Sequence, residues 1–423
     1  MRKIKLELDN VKDRIKDSRV AEKLSSDYDA NLSAEGIDSA RLSAKRAKKA
    51  HFAGLISIAL CVAILLSMAL IFGKDISPMN MYYFFREVNL MGQIGEGERE
   101  QISYSQPTRN QSFSEFKRGF VVASDREVQV FNKAGYETSI SQLDYSNPIV
   151  ISSKNTFLVY DLGGVGFTLY NSFEDVYSES REYHISAADM ADDGRFAVVG
   201  KSQRYNSELT LYDDEGKREF SYKRNDYAVA CKYSENGNHI VLLTINTSLG
   251  EYIYTLTVIS TRNGEVVSSV DAAGDIAYGV YYMNGDRIAV LCEDSLTVYN
   301  SKCEEISTFD YPTGELYRVS GNEKYMALLF TDDKVGMTNT LYLIDSRGAL
   351  VRELAISGEF SDMVISSKYG YFATKGGVYR MDLNSGKLEF ASVEGTDGKL
   401  IILDSARVML CRTNTSYILD SWS

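Results

Sequence analysis

The chain of 423 residues is 44% hydrophobic and 25% charged, and its 58 acidic side chains outnumber 46 basic ones for a net charge of −12. That balance argues against nucleic acid as a partner and against adhesion to anionic lipid headgroups. Five cysteines without a C-x-x-C pair argue against a disulfide framework, zinc knuckles and thioredoxin-type redox chemistry.

Residues 1–51 carry 13 basic and 9 acidic side chains around scattered apolar positions such as Ile4, Leu8, Val11 and Ile15. So short and polar a stretch builds no core of its own, and it reads as a partly disordered tail. It ends in a basic collar of Arg41, Lys45, Arg46, Lys48 and Lys49.

Phe52 to Phe72 is a run of 21 residues without a charge, twelve of them Leu, Ile, Val or Phe. As a helix this run measures about 31 Å, the thickness of a hydrocarbon core, and those twelve residues favour insertion by roughly 4 to 7 kcal/mol. The expectation for 52–72 is a transmembrane helix, with the lipid bilayer as the first partner. The long polar stretch before it, and the lack of a small-residue cleavage site after it, argue against a removed signal peptide. The basic collar lies on one side and only Lys74 beside Asp75 on the other, so residues 1–51 belong in the cytoplasm. The chain beyond residue 72 is then extracytoplasmic, in a single-pass protein of the cell membrane.

Residues 73–111 read as an interfacial segment and connector. Ser77-Pro78 offers a helix start, MYYFFREVNLMG (81–92) brings aromatics to the outer interface, and 94–110 is polar and glycine-containing.

Residues 112–423 repeat one pattern: an apolar strand, a loop, a strand ending in an apolar residue plus Asp or Asn, and a turn. Examples are VQVFNKAG (128–135), LTLYDDEGK (209–217), LTVYNSKCE (296–304) and LYLIDSRGA (341–349). The strands at Phe120, Phe157, Phe196, Ile240, Ile288, Met326, Phe372 and Val408 are spaced by 37, 39, 44, 48, 38, 46 and 36 residues. Periods of about 40 to 50 with four short strands are those of propeller blades. The predicted fold is all-β, an eight-bladed β-propeller with a seven-bladed one as the alternative. The last repeat, SYILDSWS (416–423), lacks an outermost strand, and an open sheet edge is a liability. The segment Glu98 to Tyr104 is the expected donor.

No catalytic or metal constellation emerges. The three histidines, His51, His184 and His239, have no metal-ligand spacing, and no nucleophile elbow, dinucleotide fingerprint or P-loop is present. The GGVG run (163–166) reads as a hairpin loop, and Asp192, Asp193, Asn236 and Asn284, tempting as calcium ligands, read as turn residues. Quinoprotein propellers dock their blades through recurrent tryptophans, whereas this chain has Trp422 alone. No cofactor is expected. Cys231, Cys292, Cys303 and Cys411 read as buried free thiols, Cys292 and Cys303 being the one local pair a blade would allow.

The positive signal lies in the segments crossing from one blade to the next. Six of them pair an acid with an aromatic: Tyr145, Tyr183, Tyr227, Tyr278, Tyr317 and Phe360. Such crossings share one face of a propeller, where they would form a ring suited to a peptide, a sugar polymer or a protein loop, unless they fill the spaces between blades.

The span, the fifty-residue tail, the SPMNMYYFF segment and the eight-unit exterior together resemble a family of bacterial, mostly Gram-positive, single-pass membrane proteins. That family carries an extracytoplasmic β-propeller related to WD40 and quinoprotein propellers. The resemblance implies a cell-envelope location and supplies no catalytic residues. The function expected is a non-enzymatic binding or scaffold module for an envelope protein or wall polymer. One alternative is a hydrolase or lyase using Asp144, Asp226 and Asp275 as acid and base. Another is a single-pass sensor, although the span lacks the G-x-x-x-G of a dimerising helix.

Overall fold

A computed structural model describes residues 51–60, 62–63, 101–105, 108, 110–172, 174–312, 314–331, 338–393, 398–405 and 407–422. The chain falls into two units, Met1–Gln93 and Ile94–Ser423. In the first, residues 51–60, 62 and 63 are helical and exposed. Among the described residues no helix is long and apolar enough to cross a membrane. Most of the span expected over 52–72 lies outside them, as do residues 1–50 of the tail and 73–100 of the interfacial segment.

The second unit is eight four-stranded antiparallel sheets. Blade 1 comprises Ser112–Phe116, Gly119–Ala123, Glu127–Phe131 and Glu137–Gln142, and blades 2 to 7 repeat the order. First strands stand beside one another around the centre, that of blade 8 against that of blade 1. The ring therefore has eight blades, not seven.

Hydrophobic packing explains the sequence pattern. Eight core clusters occupy the eight junctions between neighbouring blades. In the second strand of blade 4, His239–Ser248, Ile240 and Leu242 pack toward blade 3 while Val241 and Leu243 pack toward blade 5. Successive side chains point to opposite faces, and both faces are covered. Middle strands therefore read as unbroken apolar runs. Outer strands such as Asp175–Ser180 alternate because one side meets water.

The Asp or Asn closing the third strand of blades 1, 3, 5 and 6 is a turn device, whereas blade 4 ends its third strand at Ser260. Asn132 Oδ1 accepts the amides of Ala134 and Tyr136 at 3.0 Å each, and Asp213, Asn300 and Asp345 repeat the arrangement. Each turn places its fourth residue in the left-handed region, where glycine is least strained: Gly135, Gly216 and Gly348 have φ near 80°. Blade 5 puts Cys303 there, at φ 59°.

Blade 8 contains Lys399–Ile402, Val408–Cys411, Thr415–Leu419 and, outermost, Gln101–Ser103. Gln101, Ile102 and Ser103 pair with Tyr417, Ser416 and Thr415, so the missing strand comes from within the segment anticipated as donor. The Tyr104 and Ser416 hydroxyls hydrogen bond beside it. All four cysteines of the propeller are free and buried.

Candidate functional site

Crossings between blades and loops between second and third strands share one face, since strands in each blade alternate in direction. Blades 3 to 6 elaborate it. Their first strands each carry one extra residue near the crossing end, at Ser186, Val229, Tyr278 and Tyr317. The first strands of blades 1, 2, 7 and 8 pair without such a bulge. Bulges re-aim side chains and twist a strand, and here they cluster on half of the ring.

Among the described residues, blade 4 has the longest middle strands. Its middle strands, His239–Ser248 and Glu251–Ser260, are ten residues each, against five or six in blade 3. At the tip Leu249, at φ 54°, is fully exposed and Tyr252 about half exposed, while Tyr227, on the first strand at the base, is about half exposed as well. The projection is braced at its base: Asn246 Nδ2 donates to Asp226 Oδ1 at 2.8 Å, and Arg224 Nε donates to Asp226 Oδ2 at 2.7 Å.

Beside it, a cleft of about 380 Å³ opens between blades 2 and 3. Its walls are the crossing 181–183 and the loop 201–205. The loop is tied to the next crossing by Asn206, whose Nδ2 donates to the Asn225 carbonyl at 2.6 Å. In the floor, the Glu179 carboxylate accepts from the Tyr177 and Tyr212 hydroxyls at 2.7 and 3.2 Å and pairs with Arg218. Burial would raise this carboxyl, but Arg218 and Tyr177 outweigh it and hold the group below its ordinary value. Five basic and three acidic side chains line the cleft. Glu179 and Glu208 are paired with Arg218 and Lys223, whereas Lys201 and Arg204 have no carboxylate partner among the described residues.

The six crossing aromatics divide. Tyr227 and Tyr278 are 54% and 46% exposed, and Tyr183 lines the cleft. Tyr145 packs between blades 1 and 2 against Gly166, its hydroxyl 2.8 Å from Thr168 Oγ1. Tyr317 packs between blades 6 and 7 with the Arg318 guanidinium 4.2 Å from its ring centre. Phe360 is fully buried in the same junction, edge-on to Tyr379. These three fill space between blades, because a crossing that returns to the hub must cover the top of the junction it spans.

The carboxylates considered for acid–base work have structural partners. Asp275 caps a loop, accepting from the amides of Ile276 and Glu293 and the Ser295 hydroxyl at 2.7 to 3.1 Å. Asp226 braces the hairpin, and Asp144 is an exposed residue of a different crossing. Burial raises Glu115 and Asp362, but these lie in blades 1 and 7 and each accepts a backbone amide, from Arg118 and Leu400. Among the described residues, no group of three or more His, Cys, Asp or Glu side chains could hold a metal ion.

Fold and face together define an eight-bladed β-propeller with one elaborated half. The chain belongs to the family of unknown function DUF5711, whose model matches residues 97–417. Comparison with curated proteins finds no match. Among solved structures, Sqt1 from Saccharomyces cerevisiae is similar at 10% identity and a TM-score of 0.58, covering 77% of this chain and 100% of that one. Sqt1 from Chaetomium thermophilum, bound to the N-terminus of ribosomal protein L10, gives 0.55 at 10% identity, over 77% of this chain and 100% of that one. BamB from Moraxella catarrhalis gives 0.52 at 10% identity, over 77% of this chain and 99% of that one.

Proposed function

We propose that this protein is a membrane-anchored, extracytoplasmic propeller that binds a protein partner at the bacterial cell envelope without catalysing a reaction. The observation that carries the binding reading is the blade 4 hairpin, which exposes Leu249 and Tyr252 near its tip, with Tyr227 exposed at its base. Apolar and aromatic side chains on a braced projection gain most by entering a partner's pocket. The Sqt1 complex supports it in kind, since that propeller binds the end of another protein chain. The anchor rests on the uncharged run of 52–72, whose described part is helical with exposed apolar residues such as Phe52, Leu55 and Ile58. Orientation rests on the basic collar before it.

A photoreactive amino acid at residue 249 in living cells tests the reading. It should trap a discrete protein, whereas the same probe at Asp192, on the opposite face, should not. Equal labelling from both positions, or none from 249, would overturn it. Protease added to spheroplasts should digest the propeller and spare a tag before Arg2; a protected propeller would reverse the orientation.

A further inference from the structure

We propose that the cleft between blades 2 and 3 receives an acidic peptide segment of the protein partner, with a carboxylate seated on Lys201 and Arg204. The inference rests on the reading that this face binds protein, and it names the chemistry of one contact. Lys201 and Arg204 stand on the 201–205 wall with no carboxylate partner among the described residues, in a chain whose net charge is −12. A local excess of two positive charges against that background is an exception. Arg181, opposite, is held by the Val198 carbonyl and Thr210 hydroxyl at 3.3 Å, and its charge adds to the field in the cleft.

The mixed lining selects the ligand class. Charges at physiological salt are screened over about 8 Å, so a peptide bearing one or two carboxylates responds to the nearest cations. A dense polyanion meets the acidic surface as a whole and the exposed Glu182 at the rim. Tyr183 and Tyr205 add partly exposed rings on the two walls, against which the flanking residues of a peptide pack.

The test titrates the full chain, in detergent, with a fluorescent peptide of alternating glutamate and glycine, its glutamine counterpart, and polyphosphate. The glutamate peptide should bind, weaken with salt and lose at least tenfold in affinity in Lys201→Ala/Arg204→Ala. Lys154→Ala, on the opposite face, should bind as the parent does. The double variant changes exposed side chains, and an unchanged Tm verifies its fold. Equal binding of the glutamine peptide, or an unaffected double variant, overturns the proposal. Binding of polyphosphate in preference to peptide also overturns it, in favour of an anionic polymer. In cells, a double variant still trapped at 249 but without acidic-peptide affinity supports the cleft as a separate contact. Loss of trapping at 249 in the parent protein sinks the face reading instead.

Discussion

The hydroxyl oxygens of Tyr254 and Tyr299 meet at 2.7 Å in the buried junction between blades 4 and 5. Tyr254→Phe should cost about 1 to 3 kcal/mol, because it strands the other hydroxyl in an apolar junction. Replacing both tyrosines by Phe should recover part of that loss. Denaturant unfolding of the two single variants and the double one measures the coupling, and additive losses would deny it.

Alkaline pH should unfold the propeller steeply. Burial pushes the Tyr170 phenol and the Cys292 thiol up to about 12, from ordinary values of 10.0 and 9.0. Each folded value lies above the unfolded one, so the unfolded chain gives up its proton first. Stability is therefore full below about pH 9 and falls as pH climbs toward 12. Melting temperature against pH, with tyrosinate absorbance alongside, should show the buried phenols ionising together with unfolding.

Two glycines share a left-handed backbone and differ in their surroundings. A Cβ on Gly216, at φ 88°, would run into the Tyr177 ring, whereas one on Gly250, at φ 90°, would meet nothing within 4 Å. Gly250→Ala should cost about 1 to 2 kcal/mol of local strain, and Gly216→Ala distinctly more. Equal shifts in Tm would show that the clash relaxes freely.

Closure of the ring should depend on Ile102, which is 1% exposed in the junction of blades 8 and 1. Ile102→Ala should lose about 2 to 5 kcal/mol. A propeller beginning at residue 110 should melt well below one beginning at 94. Equal melting of the two chains would mean that seven complete blades and three strands close unaided.

The blade count was legible because middle strands are buried on both faces, so runs such as FAVV (196–199) stand out at a fixed period. The closing strand was legible only as a deficit, because Gln101–Ser103 is three residues long and just Ile102 is buried. The projecting hairpin had left a trace: the interval from Ile240 to Ile288, 48 residues, is the longest of the series. The use of that extra length was not readable, since a long loop and two long strands have the same spacing. The crossing aromatics looked alike in sequence, yet Phe360 is buried and Tyr227 is 54% exposed. Their fate depends on bulges and on neighbours from other blades, and local pattern carries neither. The cleft went unseen because Arg181 and Lys201, twenty residues apart, come to face one cleft only through the pairing of strands.

Tyr104 and Ser416, joined beside the closing strand, are 312 residues apart in sequence. Gln101–Ser103 therefore emerges from the ribosome long before its partner strand exists. Seven blades can accumulate in order, each stabilised by the one before, but the ring stays an open arc with two bare edges until Thr415–Leu419 is made. Loop-closure entropy makes that last pairing slow, and the waiting arc is the species most prone to join another of its kind. The ring of this protein thus cannot close before its last strands are made.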